Sequence, residues 1–279
     1  MKRVLTALAV LPFLIASIRV SWLAPLFVLL ALAAMMTGLH EYYLLARRRE
    51  LKPELTVGTV AAAALFAAFY FNAPATDPRL LLIVLCAATI ATLAATMLRG
   101  APFDKMIPST AVTLSGVFYV ALLGGHLVAA RTGFVPELSA DLLSFFFLVL
   151  FSSDTAAYYS GRTFGKHKLA PSVSPGKTWE GAAGGLLASL AAAAIAHFWF
   201  FPELSLKAAL PLAAVMNVLG VLGDLSESAL KRGAGAKDAA NILPGHGGLL
   251  DRLDSLLFNA PLIYYFAAYY FGEAFVRKW

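Results

Sequence analysis

Long apolar stretches follow one another along most of the 279-residue chain, and they limit its fold more than any other feature. Most are about 17–25 residues long, the length that a helix needs to cross the hydrocarbon core of a bilayer. Backbone groups in that core must be hydrogen-bonded within the protein, which a helix achieves within its own segment. The sequence therefore predicts an all-α, polytopic integral membrane protein with about nine transmembrane helices. The predicted spans are residues 4–18, 21–45, 56–74, 79–98, 108–130, 141–161, 181–201, 207–227 and 256–275.

The composition agrees with this prediction. Hydrophobic residues make up 60% of the chain and charged residues 14%, whereas about a quarter of a soluble domain is charged. Membrane topology and anionic headgroups account for the net charge of +6, so no nucleic-acid partner is predicted. The single cysteine, Cys86, excludes an intrachain disulfide.

Two polar links between the predicted spans are longer than the others and differ in composition. They are residues 161–181 and 228–255, and both are rich in glycine, lysine and arginine. We divide the single membrane domain into N-terminal transmembrane helices, 1–140, and a C-terminal catalytic region, 141–279, which contains both links.

The distribution of basic residues predicts the orientation of the chain. With the N-terminus in the cytoplasm, sixteen of the 22 lysines and arginines fall on the cytoplasmic side, as the positive-inside rule requires. Both long links then face the cytoplasm, where nucleotides are found.

Three aspartates near the second link suggest a metal site. Asp224 stands at the cytoplasmic end of an apolar segment, and Asp251 and Asp254 are three residues apart at the start of the last helix. Ionised groups at membrane depth are costly and usually functional, and carboxylates from two helices suit Mg²⁺. Alternatively, Asp251 and Asp254 cap the helix and pair with Arg252 or Lys231.

Basic residues and glycines surround these aspartates. As isolated residues the cations are explained by topology, but together with acids and glycines they favour phosphate binding, because glycines let backbone N–H groups approach a phosphate. The cations are Lys231, Arg232, Lys237 and Arg252, and the glycines are Gly245, Gly247 and Gly248. Neither a P-loop nor a dinucleotide-binding motif is present.

His246 lies between two of these glycines. It could donate a hydrogen bond to a phosphate, transfer a proton or cap the loop, and we favour the phosphate contact. Zinc binding is not expected, because no second histidine or cysteine stands at ligand spacing.

The first link offers a second set of polar residues, which we predict to contact substrate. A helix N-terminus with a nearby lysine favours anion binding, although Asp154 could instead bond to neighbouring hydroxyls as a structural group. The candidates are Asp154, Ser174, Lys177 and Thr178. We interpret Glu41 as structural, at the membrane interface beside Tyr42 and Tyr43.

The run SALKRGAGAKDAANILPGHGGLLDRLD, residues 228–254, resembles the signature of the phosphatidate cytidylyltransferases, also called CDP-diacylglycerol synthases. The upstream stretch SDTAAYYSGRTFGKHKLAPSVSPGKTWEG is similar to a second characteristic segment of that family. One departure is Gly176, where many members carry a lysine. The specific resemblance covers roughly residues 150–255.

The resemblance implies a polytopic enzyme that joins CTP to phosphatidic acid and gives CDP-diacylglycerol and pyrophosphate for phospholipid biosynthesis. It implies dependence on Mg²⁺, a second cation such as K⁺, and metal ligands at Asp224, Asp251 and Asp254. It also implies a place in the bacterial inner membrane with the active site facing the cytoplasm, contact with membrane lipids, and a homodimer as a candidate assembly.

Three alternatives remain open. In a transporter or channel, Asp154 and Asp224 would form an ion or proton path, although the polar residues cluster at one end instead of the midplane. A lipid-headgroup transferase that uses a CDP-activated substrate would carry a D-x-x-D-G arrangement that this chain lacks. A non-catalytic scaffold would not explain why so many residues suited to phosphate binding lie between positions 224 and 254.

Overall fold

The computed structural model describes residues 12–72, 77–101, 103–236 and 248–272. These residues are mainly helical, with one two-stranded sheet. The helices are α1 (12–19), α2 (Ala24–Arg47), α3 (Leu55–Phe71), α4 (Arg79–Leu98), α5 (Phe103–Thr132), α6 (Pro136–Phe164), α7 (Trp179–Trp199), α8 (Leu206–Gly233) and α9 (Leu250–Phe271). The strands are β1 (Lys168–Ala170) and β2 (Ser174–Thr178).

Six of the described helices, α2 and α4 to α8, are long and apolar enough to cross a membrane. The apolar helix α3 has 17 residues, and α9 carries Asp251, Arg252 and Asp254 in its first two turns. The prediction of an all-α polytopic membrane protein is confirmed, whereas the count of nine spans stays a prediction.

The helix ends meet at two opposite ends of the bundle. At the first, Arg49 after α2 donates to the carbonyl oxygen of Gly233 at the end of α8, with 2.5 Å between Nε and O. At the other, Arg19 at the end of α1 pairs with Asp141 near the start of α6 at 2.5 Å. We call the end that contains Gly233 and the start of α9 the site end. Loops that the positive-inside rule assigns to one side therefore meet in space.

Both long links are shorter than the sequence indicated. α6 continues to Phe164, and the rest of the first link folds into the antiparallel hairpin of β1 and β2, with Lys168 opposite Thr178. α8 continues to Gly233 because Lys231 pairs with Glu227 one turn earlier, at 2.6 Å. Basic side chains in a last helical turn also interact favourably with the helix dipole. The first link is corrected to residues 165–178, and next to the second link α8 ends at Gly233 and α9 begins at Leu250.

Small residues let α6 and α7 pack closely. A Cβ added at Gly181 of α7 would lie 2.9 Å from the carbonyl oxygen of Ala157 on α6. At Gly185 it would lie 3.1 Å from the Ser153 hydroxyl, and that hydroxyl accepts a 2.7 Å hydrogen bond from Asn217 of α8. Such residues are common where membrane helices approach closely. This packing fixes α6, α7 and α8 relative to one another.

Candidate active site

Asp224, in the last third of α8, lies at the centre of a charged cluster. Its Oδ2 is 2.6 Å from Nζ of Lys177 on β2, and its side chain is 43% exposed. Its carboxylate lies within electrostatic range of those of Asp154 on α6 and Asp254 on α9. The hairpin and three helices therefore bring together four of the predicted site residues: Asp154, Lys177, Asp224 and Asp254.

A second group of charges lies deeper, between α8 and α9. Nζ of Lys231 is 2.6 Å from Oε2 of Glu227 and 2.7 Å from Oδ1 of Asp251. The side chains are 14%, 1% and 10% exposed, respectively. In this arrangement Lys231 joins two helices, and its predicted contact with a substrate phosphate stays a prediction. The pairing of Asp251 with Lys231 is the alternative that the sequence left open.

The hairpin residues serve first to order the chain. Thr178 is buried and is the N-cap of α7, where its hydroxyl accepts from the backbone N–H of Gly181 at 3.1 Å. Such caps satisfy an otherwise unpaired amide at the start of a helix. Ser174, at the start of β2, is half-buried. Lys177 directly precedes the cap. Its ammonium group is directed towards Asp224.

Two arginines supply further positive charge at the site end. Arg232 is exposed and makes a long hydrogen bond of 3.4 Å from Nε to the carbonyl oxygen of Val173, which links α8 to the hairpin. Arg252 is exposed and lies within electrostatic range of Asp154. Arg252 therefore lies near the Asp224 cluster, whereas Arg232 lies beside the hairpin.

The start of α9 is held by two carboxylates. The backbone N–H of Gly248 donates to Oδ2 of Asp251 at 2.8 Å. The next two amides, of Leu249 and Leu250, donate to Oε1 and Oε2 of Glu41 at 2.9 and 2.6 Å. Glu41 is 0% exposed, so the interpretation of this residue as an interfacial group is wrong. It reaches the first turn of α9 from inside the bundle.

Four of the predicted site residues lie outside the described residues: Lys237, Gly245, His246 and Gly247. Their predicted roles in phosphate binding stay predictions. Gly248 is described and is buried, with its amide directed to Asp251.

The donors fit Mg²⁺ in chemical type, because carboxylate oxygens are what this hard cation prefers. Within residues 12–72, 77–101, 103–236 and 248–272, no three Asp, Glu, His or Cys side chains are grouped to hold a metal ion. Both oxygens of Asp251 accept hydrogen bonds, from Lys231 and Gly248. The sharing of one ion by Asp224, Asp251 and Asp254 stays a prediction.

Glu227 and Glu41 were absent from the set of site residues chosen from the sequence. Glu227 could have been found, since it stands four residues before Lys231 on a helix and charges at that spacing pair. Glu41 gave a weaker signal, a lone acid in an apolar helix. Its partners are more than 200 residues away, so only the fold reveals them.

Comparisons with known proteins identify the family of the chain. A family model described as the cytidylyltransferase family matches residues 1–270. The chain is 46% identical to a phosphatidate cytidylyltransferase of Haemophilus influenzae over 129 residues, 45% of each chain. It is 38% identical to that of Bacillus subtilis over 157 residues, 56% of this chain and 57% of the relative. It is 46% identical to that of Brucella suis over 161 residues, 55% and 56% of the two chains.

In these matches the chain spans about half the length of each curated relative. The family model, in contrast, covers all but the last nine residues and includes both halves of the bundle. The chain therefore belongs to the cytidylyltransferase family.

Proposed function

We propose that the protein transfers a cytidylyl group from CTP to phosphatidic acid and so forms CDP-diacylglycerol and pyrophosphate. The observation that carries the proposal is the ion pair of Lys177 with Asp224, close to Asp154 and Asp254, at one end of a membrane bundle. Carboxylates and cations at the mouth of apolar helices can bind a polyphosphate beside a lipid. The relatives described above are phosphatidate cytidylyltransferases, which supports the same reaction.

The reaction joins two anions, so charge neutralisation and positioning supply most of the catalysis. An oxygen of the phosphatidic acid phosphate attacks the α-phosphorus of CTP, a new P–O bond forms, and the bond to the departing pyrophosphate breaks. A phosphomonoester is already a nucleophile, so no strong base is needed. Lys177, Arg232 and Arg252 would bind phosphate oxygens and hold the two substrates in line.

Mg²⁺ is the proposed cofactor, with K⁺ as a candidate second cation. Asp224, Asp251 and Asp254 would hold the metal, whose chemistry when bound is to neutralise charge on phosphate oxygens. Lys231 keeps Asp251 close to α8, and Lys177 faces Asp224, so basic side chains from two elements set the positions of these carboxylates.

We further propose that the protein lies in the bacterial inner membrane with the site end facing the cytoplasm. This orientation follows from the excess of basic residues at the site end, and CTP is found on that side. The homodimer that the family resemblance implies stays a prediction.

The test is pyrophosphate release by purified protein given phosphatidic acid, CTP and Mg²⁺. Release should require all three components, and Asp224→Asn should lower the rate by about 100-fold, because removing one electrostatic group at a reacting centre typically costs that much. Asp141→Asn is the matched control, since Asp141 lies on α6 at the opposite end and pairs with Arg19. Its rate should equal that of the wild type.

Two outcomes would contradict the proposal. Equal losses in both variants would mean that Asp224 supports folding only. No release by folded wild-type protein, with several lipids and nucleotides tried, would overturn the reaction, and ion flux in proteoliposomes without CTP would then favour the transporter.

A further inference from the structure

We propose that Glu41 is a positioning residue, which sets the place of Asp251 and Asp254 by holding the first turn of α9. The inference rests on the proposed function, because it assigns these aspartates to the reaction. Glu41 itself belongs to α2 and acts through the backbone of α9, without a contact to substrate.

The contact between Glu41 and α9 is specific in geometry. The two carboxylate oxygens accept from two successive amides, Leu249 and Leu250, at 2.9 and 2.6 Å. A single acceptor would leave α9 free to rotate about one hydrogen bond. Two acceptors on consecutive amides restrict both the rotation of α9 about its axis and its height relative to α2.

The environment makes this contact strong. Glu41 is 0% exposed, and a buried carboxylate is costly unless hydrogen bonds and favourable dipoles compensate it. The first amides of a helix have no partner within the helix, and its N-terminus carries partial positive charge. The contact gives the buried carboxylate of Glu41 its hydrogen bonds, and it gives the first amides of α9 their acceptors.

Close packing of α2 against α9 supports the same contact. One turn before Glu41, a Cβ added at Gly38 would lie 3.2 Å from Cδ1 of Leu253 and 3.7 Å from Cδ1 of Leu250. Gly38 therefore lets the two helices approach, and Glu41 then fixes their register.

The consequence for the site follows from the next residues of α9. Asp251 directly follows the second amide held by Glu41 and reaches Lys231 of α8, and Asp254, one turn later, comes within electrostatic range of Asp224. Displacements of about 1 Å in reacting groups can lower rates by 100-fold. Loss of the Glu41 contact should therefore shift both aspartates relative to α8.

The experiment compares Glu41→Gln with the wild type by two readouts. The first is amide hydrogen exchange of residues 249–250 in the metal-free protein in detergent. The second is the Mg²⁺ concentration that gives half the maximal rate of pyrophosphate release. We expect faster exchange in the variant and a half-saturating Mg²⁺ concentration raised by about 10-fold or more, as for other groups that orient metal ligands.

Glu54→Gln is the matched control. Glu54 precedes α3, is 17% exposed, and pairs with Arg99 at 2.6 Å, away from α9. Its variant should leave both readouts at the wild-type values. A smaller change in the same direction is expected for Glu41→Asp, which keeps the charge and serves if Glu41→Gln does not fold.

The outcomes separate this inference from the proposed function. Wild-type protein without pyrophosphate release would overturn the proposed reaction. Active wild-type protein whose Glu41→Gln variant shows unchanged amide exchange and unchanged Mg²⁺ dependence would overturn the positioning role alone. Equal changes in Glu41→Gln and Glu54→Gln would also overturn it, because both variants would then report general destabilisation.

Discussion

Lys231 has two carboxylate partners and little contact with water. Its ammonium group lies 2.6 Å from Glu227 on its own helix and 2.7 Å from Asp251 on α9. The two carboxylates share this cation inside the bundle, and Asp251 also accepts from the backbone N–H of Gly248. At the level of single residues, Lys231 therefore contributes both to the stability of the protein and to the geometry of the site.

Replacement of Lys231 by methionine should therefore destabilise the protein strongly. The change leaves Glu227 and Asp251 buried without their shared cation, and removal of one partner from a buried ion pair costs about 3 to 5 kcal/mol. We expect a lower midpoint of thermal unfolding in detergent, measured together with pyrophosphate release, which should also fall.

Two further variants check this explanation. Lys207→Met changes an exposed lysine at the start of the same helix and should leave the midpoint unchanged. Glu227→Gln combined with Lys231→Met removes one of the two stranded charges and should recover part of the lost stability. A double variant no more stable than Lys231→Met would show that repulsion between the carboxylates is not the cause.

Among the helix contacts, α8 and α9 approach each other closely at Gly223. A Cβ added there would lie 2.5 Å from the carbonyl oxygen of Asp254 and 3.2 Å from the ring of Phe258. The residue next in sequence is Asp224, so this contact sets the distance between two of the predicted metal ligands. Glycine is required here for close approach of two backbones.

Gly223→Ala should push α8 and α9 apart and lower both stability and activity. The close atoms belong to the backbone of Asp254, which cannot move aside as a flexible side chain can. Overpacking of this kind typically costs about 1 to 3 kcal/mol of stability. The thermal midpoint and the rate of pyrophosphate release measure the two effects.

Gly233 provides the matched glycine, at the end of the same helix. A Cβ added there has nothing within 4 Å, so Gly233→Ala should be tolerated in both measurements. If Gly223→Ala behaves in the same way, the approach of α8 to α9 is looser than the structure indicates.

At the scale of the whole molecule, the bundle has two chemically different ends. The hairpin, Lys177, Arg232 and the start of α9 lie at the site end, and the pair of Arg19 with Asp141 lies at the other. If the site end faces the cytoplasm, reagents that cannot cross the membrane will reach it only in inverted vesicles.

Single cysteines in a Cys86→Ser background test this orientation. Lys168, in the hairpin, and Glu203, after α7, are both exposed at opposite ends. An impermeant maleimide should label Lys168→Cys only in inverted inner-membrane vesicles and Glu203→Cys only in right-side-out ones. The reverse pattern would place the site end outside the cytoplasm and contradict the proposed access of CTP.

Much of the local structure could be predicted from the sequence, because it depends on neighbouring residues. Apolar stretches of sufficient length indicated membrane helices. The errors concerned ends: α6 and α8 run past their apolar parts to Phe164 and Gly233. In α8 the ion pair of Lys231 with Glu227 stabilises this extension, and hydropathy does not detect it.

Hydropathy and motif spacing are properties of the chain alone, so they were enough to identify a helical membrane protein and a first set of candidate polar residues. The partners of these residues depend on how the helices pack: Lys177 pairs with Asp224, Lys231 with Asp251, and Glu41 with the first amides of α9. These residues are 20 to more than 200 positions apart. The arrangement of the packed helices determines which distant charges meet. That arrangement cannot be predicted from a local sequence pattern.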